Sequence, residues 1–174
     1  LIGDDGVAPD HDAAIPLLMN TAAQGDVASL NTLGFVYRSG FTGPVNLPRA
    51  RDYFLRAEAK GSASASRLLS TFTADATTDA FNIQAEGRHR NAYYAMEDLC
   101  EMEVERACLE FGRYLIYGAD ELPARPADAL SVLQPLCDKQ HSNACEGLFL
   151  AVLKTGSPAG QSLIRKAASH YQAQ

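Results

Sequence analysis

The chain has 174 residues, 47% hydrophobic and 21% charged, with Gly 13 and Pro 8; this is globular composition, long enough to bury a core. Fifteen Lys and Arg against 21 Asp and Glu leave a formal net charge of -6, which argues against nucleic acid as a partner. The longest apolar run, residues 148–153, is six residues long, far short of the roughly 20 that a membrane-spanning helix needs.

The cysteines reveal an internal period. Cys100 and Cys108 lie eight residues apart, Cys137 and Cys145 also lie eight apart, and the second pair follows the first by 37. The same frame falls on Glu58 and Ala22, 42 and then 36 residues earlier, and eight residues before each frame position stands an alanine: Ala14, Ala50, Ala92 and Ala129. A period of this length marks a helical repeat.

In chain order, a partial unit over residues 1–25 closes at Gly25. The unit over 26–61 opens with a helix carrying Leu30, Leu33, Gly34 and Tyr37 and closing at Gly40. Its second helix starts near Pro48 and sets Ala50, Tyr53, Phe54 and Ala57 at i, i+3, i+4 and i+7, with Arg49, Arg51, Arg56 and Lys60 on the other face. The unit over 62–102 is irregular: residues 71–87, TFTADATTDAFNIQAEG, have low helix propensity and are predicted to form an elongated connection. The unit over 103–140 repeats the first pattern as Cys108, Phe111, Gly112 and Leu115, a stop at Gly118, a start at Pro126, then Ala129, Val132, Leu133 and Leu136. The last unit, 141–174, has its stop at Gly156 and Pro158 just beyond. Glu103 and Gln140 occupy the turn position that Gly25 and Gly61 hold earlier. Alternation of period two is missing, so strands are not expected. A unit of about 36 residues cannot bury its own apolar face and must stack on its neighbours. The prediction is one all-α domain over 1–174, a solenoid of antiparallel helix pairs.

Residues 29–40, SLNTLGFVYRSG, and 1–26, LIGDDGVAPDHDAAIPLLMNTAAQGD, together with 107–137, ACLEFGRYLIYGADELPARPADALSVLQPLC, resemble the Sel-one-like repeats of the tetratricopeptide superfamily. Those repeats run as a helix of form A-x-x-x-L-G-x-x-Y-x-x-G, a loop and helix start, and an A-A-x-G-D turn. The resemblance implies a right-handed superhelix. It aligns Leu1 with the end of a first helix, so the chain is expected to open inside a unit. Cysteines at the hairpin junction are similar to those of exported, cysteine-rich members, which implies a periplasmic or otherwise oxidising location.

On one continuous helix, residues eight apart are separated by about 12 Å, beyond the roughly 4.4–6.8 Å between Cα atoms that a disulfide spans. Across a tight turn they can meet. Bonds Cys100–Cys108 and Cys137–Cys145 use both equal spacings and are one of three connectivities; four buried thiols are the alternative. Zinc would want closer cysteine pairs with a suitably placed histidine, and redox catalysis usually wants C-x-x-C. Structural disulfides would place the protein in an oxidising compartment.

The sequence offers no recognisable catalytic context. His11, His89, His141 and His170 are scattered and are expected at the surface; GDDG at residues 3–6 lacks the calcium-loop spacing. No cofactor or metal is implied. Two candidate surfaces remain. Glu97, Asp98, Glu101, Glu103 and Glu105 crowd carboxylates around the first proposed disulfide, suited to steering a basic protein partner. Tyr37, Arg38, Arg113, Tyr114 and Tyr117 are the expected aromatic and cationic anchors on the concave face. The reading is non-catalytic protein binding outside the cytoplasm, as an inhibitor or immunity protein masking a toxin or effector; an adaptor in envelope assembly is the second reading, and a hydrolase of cell-wall or lactam compounds, which the resemblance to cysteine-rich members implies, is the third. Terminal repeats could also stack on a second copy. Non-reducing mass spectrometry of native protein is expected to show the linked pairs Cys100–Cys108 and Cys137–Cys145; four free thiols would remove the case for an oxidising compartment.

Overall fold

The repeated i, i+3, i+4 spacing produces nine α-helices among the residues that a computed structural model describes, 11–119 and 121–156. They are α1 (His11–Ala23), α2 (Val27–Ser39), α3 (Leu47–Ala59), α4 (Ala63–Ser70), α5 (Phe72–Ala85), α6 (His89–Glu101), α7 (Glu105–Tyr117), α8 (Pro126–Asp138) and α9 (Ser142–Thr155). The described residues hold no strand, only an isolated bridge between Ala119 and Leu122 in the loop after α7. The expectations for residues 1–10, His170 and Pro158 lie outside the described residues.

Contacts divide the chain into two compact units, Leu1–Asp79 and Ala80–Gln174. In the first, α2 packs on α1 and α3, and α3 packs on α4. Three of these helices begin at side-chain caps, where an oxygen accepts an otherwise unpaired N–H. Asp26 Oδ2 accepts from Ser29 N at 2.7 Å, Asn46 Oδ1 from Arg49 N at 2.9 Å and Ser62 Oγ from Ala65 N at 3.2 Å. Hydrogen bonds from Ser29 hold the Asp26 carboxyl below the usual aspartate range. In the second unit, α7 packs on α6, α8 and α9, and α8 packs on α9.

The close approach within both units is made by a large side chain entering a glycine gap. A Cβ on Gly34 would stand 2.5 Å from the ring of Phe54, and one on Gly112 would stand 2.5 Å from Leu133, which also lies 2.9 Å from the Cβ position of Gly147. Phe54 is fully buried and Leu133 is 2% exposed. The apolar stripes read from the sequence form these interfaces: Ala50, Tyr53, Phe54 and Ala57 are buried on α3, and Ala129, Leu133 and Leu136 on α8.

Residues 71–87 correct the expectation of an elongated connection. They contain α5, which buries Phe72, Ala76, Ala80 and Ile83 along one face. Threonine's weak helix propensity is overridden by this burial, and the hydroxyls of Thr77 and Thr78 turn back onto the carbonyls of Thr73 and Ala74. The segment 62–102 therefore holds three helices, α4, α5 and α6, where the repeat pattern leads one to expect two.

The tight turns share one geometry. Gly25, Gly61, Gly87, Glu103 and Gln140 all have positive φ, between 62° and 87°. Each donates its N–H to the carbonyl three residues back, and the next residue donates to the carbonyl five back, as in Asp26 N to Thr21 O, Ser62 N to Ala57 O and Val104 N to Leu99 O. This is the Schellman closure of a helix end. Glu103 and Gln140 adopt it without glycine, at a cost of about 1 kcal/mol each. Both of these turns are bridged by disulfides, Cys100–Cys108 with Cα atoms 4.5 Å apart and Cys137–Cys145 with 4.7 Å. Closing so short a ring contributes roughly 2–3 kcal/mol apiece, which exceeds that cost. Among the described residues all cysteines are paired.

Because the Gly112 gap is filled by Leu133, Gly112→Ala is expected to destabilise the protein by about 1–3 kcal/mol despite alanine's better helix propensity. Urea unfolding checks this. Combining it with Leu133→Ala should cost less than the sum of the two single changes, and strict additivity would show that the two residues do not share a gap.

Candidate binding surface

The second compact unit assembles the acidic cluster and three of the five proposed anchors. On α6, Ala92, Tyr93, Ala95, Met96 and Leu99 face inward, so Glu97 and Glu101, one turn apart, flank the buried stripe. The Tyr93 ring meets Phe111 edge-on at 5.2 Å and Tyr114 at 6.1 Å. Arg125, just before α8, donates from Nη2 to the Tyr93 hydroxyl. Burial pushes the Tyr93 hydroxyl above the ordinary tyrosine value, and the nearby Glu97 charge adds to this while Arg125 opposes it. The Glu97 carboxyl is likewise held above the usual glutamate range, first by burial and then by Glu101, against the pull of Arg125.

Around the Cys100–Cys108 turn lies a cleft of about 510 Å³. Glu97, Glu101, Glu103 and Glu105 line it, its buried apolar side is made by the disulfide with Phe111 and Leu136, and Pro135 stands exposed at its edge. Among the described residues that line it, Lys139 is the sole cation, and its Nζ bonds Glu105 Oε1 at 3.0 Å. Four carboxylates against one ammonium leave the rim at a formal charge of -3. The Glu105–Lys139 contact is exposed on both sides, 52% and 66%, so it is worth only about 0–1 kcal/mol and is readily exchanged. Asp98, the remaining acid of the cluster, is half-buried and does not line this cleft.

Arg113, Tyr114 and Tyr117 come together elsewhere in the unit, around a cavity of about 300 Å³ shared with Gln84, His89 and Glu110. Tyr114 is 8% exposed, so its ring belongs to the core. Tyr117 is 57% exposed with Lys154 Nζ 4.9 Å above its ring. Tyr37 and Arg38 belong to the first compact unit. Tyr37 stacks on Tyr53 at 5.6 Å beneath the Arg49 guanidinium at 4.5 Å, and Arg38 pairs with Asp79 at 3.0 Å.

Several participants were not singled out in the sequence. Lys139 reaches Glu105 across 34 residues, and His89 meets Tyr114 across 25. Contacts at that separation leave no mark in a local pattern. Of the histidines expected at the surface, His89 and His141 are half-buried, and His141 stands at the cap position of α9. No cluster of three or more metal-ligating side chains occurs among the described residues, and no described helix is long and apolar enough to cross a membrane.

No protein-family model and no curated protein matches the sequence. Among solved structures, the chain is similar to a Sel1 repeat protein from Oxalobacter formigenes, with 18% identity over 92% of this chain and 80% of that one and a TM-score of 0.35.

Glu97 supplies a pH test. A carboxyl whose folded-state pKa is raised costs stability while ionised, and the cost disappears as pH falls through that raised value. Glu97→Gln is therefore expected to raise the thermal midpoint at pH 7 by about 1–3 °C, a shift appropriate to a partly exposed charge. The gain should vanish near pH 4, where the native carboxyl is itself protonated. A gain that persists there would assign the effect to packing.

Proposed function

We propose that this chain is a non-catalytic protein-binding module of an oxidising, extracytoplasmic compartment such as a periplasm, and that the cleft at the Cys100–Cys108 turn receives a basic segment of its partner. One observation carries the reading: four carboxylates line a cleft with an apolar floor, and its one lining cation, Lys139, pairs with only one of them, Glu105, in an exposed contact. A lysine or arginine on the partner would displace Lys139, lay its methylene stem on Phe111 and Pro135, and keep its charge among the carboxylates. The two disulfides support the compartment, because such bonds persist where thiols are not held reduced. Within this class, the best-suited role is that of an inhibitor or immunity protein masking a toxin or effector whose working cleft is basic. Acidic surfaces of this kind act mainly by steering association and fixing register.

A short amphipathic Lys-rich peptide should bind the oxidised protein and its Glu-rich counterpart should not. Reversing two rim charges, Glu101→Lys with Glu105→Lys, is expected to weaken binding about tenfold or more at low ionic strength. Lys139→Ala should strengthen it, and added salt should weaken it. Unchanged affinity in the reversed variant, with its fold intact by circular dichroism, would refute the cleft as the binding surface.

A further inference from the structure

The second cavity of the same unit lacks the acidic excess of the cleft: its lining holds one carboxylate, Glu110, against one guanidinium, Arg113. His89, the first residue of α6, places Nδ1 3.3 Å from the Tyr114 hydroxyl, and Tyr114 is fixed by Tyr93 at 6.1 Å. With the Tyr114 hydroxyl donating to Nδ1, the imidazole proton sits on Nε2 and can be donated to a ligand. The acid that lines the cavity is already compensated. Glu110 accepts from Arg113 Nη1 with both oxygens, at 3.2 and 3.1 Å, and from Gln84 Nε2 at 3.2 Å. Arg113 remains 68% exposed and has further N–H groups beyond those spent on Glu110. Tyr117 adds an exposed ring and hydroxyl at the mouth.

Two further cations stand nearby, each beside a carboxylate. Arg88 and Arg90 flank His89 at this end of α6, with contacts of 3.5 Å to Glu86 and 3.6 Å to Glu121. Cations at a helix N-terminus oppose the macrodipole and cost stability there, and a bound anion removes that cost. A cavity of about 300 Å³ has room for a single residue.

We infer that the cavity formed by His89, Arg113, Tyr114 and Tyr117 is a binding site for a carboxylate carried next to an apolar group, accepting hydrogen bonds from His89 Nε2 and the Arg113 guanidinium while the apolar group rests against the exposed Tyr117 ring. Two sources offer the carboxylate, a peptide C-terminus and an Asp or Glu side chain, and the first carries the apolar group beside it. The site is separate from the acidic cleft, and its failure would leave that reading untouched.

The probes are N-acetyl-L-phenylalanine, its carboxamide, and N-acetyl-L-aspartate blocked as the α-methylamide, titrated against the full oxidised chain by nitrogen-15 NMR. The acid should give saturable shifts at the Arg113 side chain and the His89 ring, while the carboxamide binds at least about tenfold more weakly. Arg113→Gln and His89→Gln should each weaken the acid about fivefold or more, and the glutamine at position 89 keeps a polar partner for Tyr114. Binding of phenylalanine acid, with blocked aspartate weaker, supports the site and assigns a C-terminal carboxylate; binding of blocked aspartate alone shows that no apolar neighbour is read and overturns it. Equal binding of acid and carboxamide, binding unchanged in both variants, or no shifts at millimolar probe overturns it.

Discussion

The fit of one large side chain into a glycine gap sets the geometry on which the rest depends. Phe54 fills the gap at Gly34, and Leu133 fills those at Gly112 and Gly147. Each glycine sits in a helix interior at a cost of about 1 kcal/mol relative to alanine, and the close backbone approach recovers more through the burial of Phe54 and Leu133. In the second unit this fit draws α8 against α7, so that Phe111 from one helix and Leu136 from the other make the floor of a single cleft. A bulkier residue at position 112 would push α8 outward and open the cleft at its base. The frame of 37 residues that relates Cys108 to Cys145 also relates Gly112 to Phe149. There α9 carries a large ring, 43% exposed, where α2 and α7 carry glycine. The gap has moved two residues earlier, to Gly147, which receives the same Leu133.

The disulfides change what a turn can carry. At Gly25 and Gly61 the left-handed residue is glycine, which accepts that conformation freely and offers no side chain. At Glu103 and Gln140 the same backbone closure is made by residues with side chains, and each turn is bridged by a disulfide. Glu103 consequently brings a carboxylate to the cleft from a position where a glycine turn would bring none. The bond thus contributes twice, by limiting the unfolded chain and by letting the turn bear charge.

The helices, their stops and the paired cysteines were legible because their marks are local. The i, i+3, i+4, i+7 stripe of α3, the stops at Gly40 and Gly118 and the matched eight-residue cysteine spacings each fall within one or two turns of chain. Helix α5 was hidden. Its buried face, Phe72, Ala76, Ala80 and Ile83, keeps helical spacing, yet the threonines and aspartates between lower propensity and the residues break the repeat frame. The acidic rim could be read as a charge cluster, but its apolar floor could not, since Phe111 and Leu136 read as ordinary core positions until two helices meet. Tyr114 shows the reverse. Its type suggested an exposed anchor, and its place on α7 puts it in the core beside Tyr93.

Helix α6 joins the two candidate sites by an electrostatic argument. Its first turn lies beside Arg88, His89 and Arg90 and its last turn carries Asp98 and Glu101, so both ends are charged against the helix dipole, each at a cost of about 0.3–1 kcal/mol at low ionic strength. Twelve residue steps separate His89 from Glu101, about 18 Å along the axis. That is beyond a Debye length at physiological salt, so charges at one end barely compensate those at the other in solvent. The cost is met locally, in part by ion pairs such as Arg88–Glu86 and Arg90–Glu121 at the first turn, and a ligand of the opposite sign would add to this. Exposed pairs of this type contribute little. A partner presenting a cation at the disulfide end relieves strain already present in the free helix, so part of its affinity comes from α6 itself as well as from new contacts.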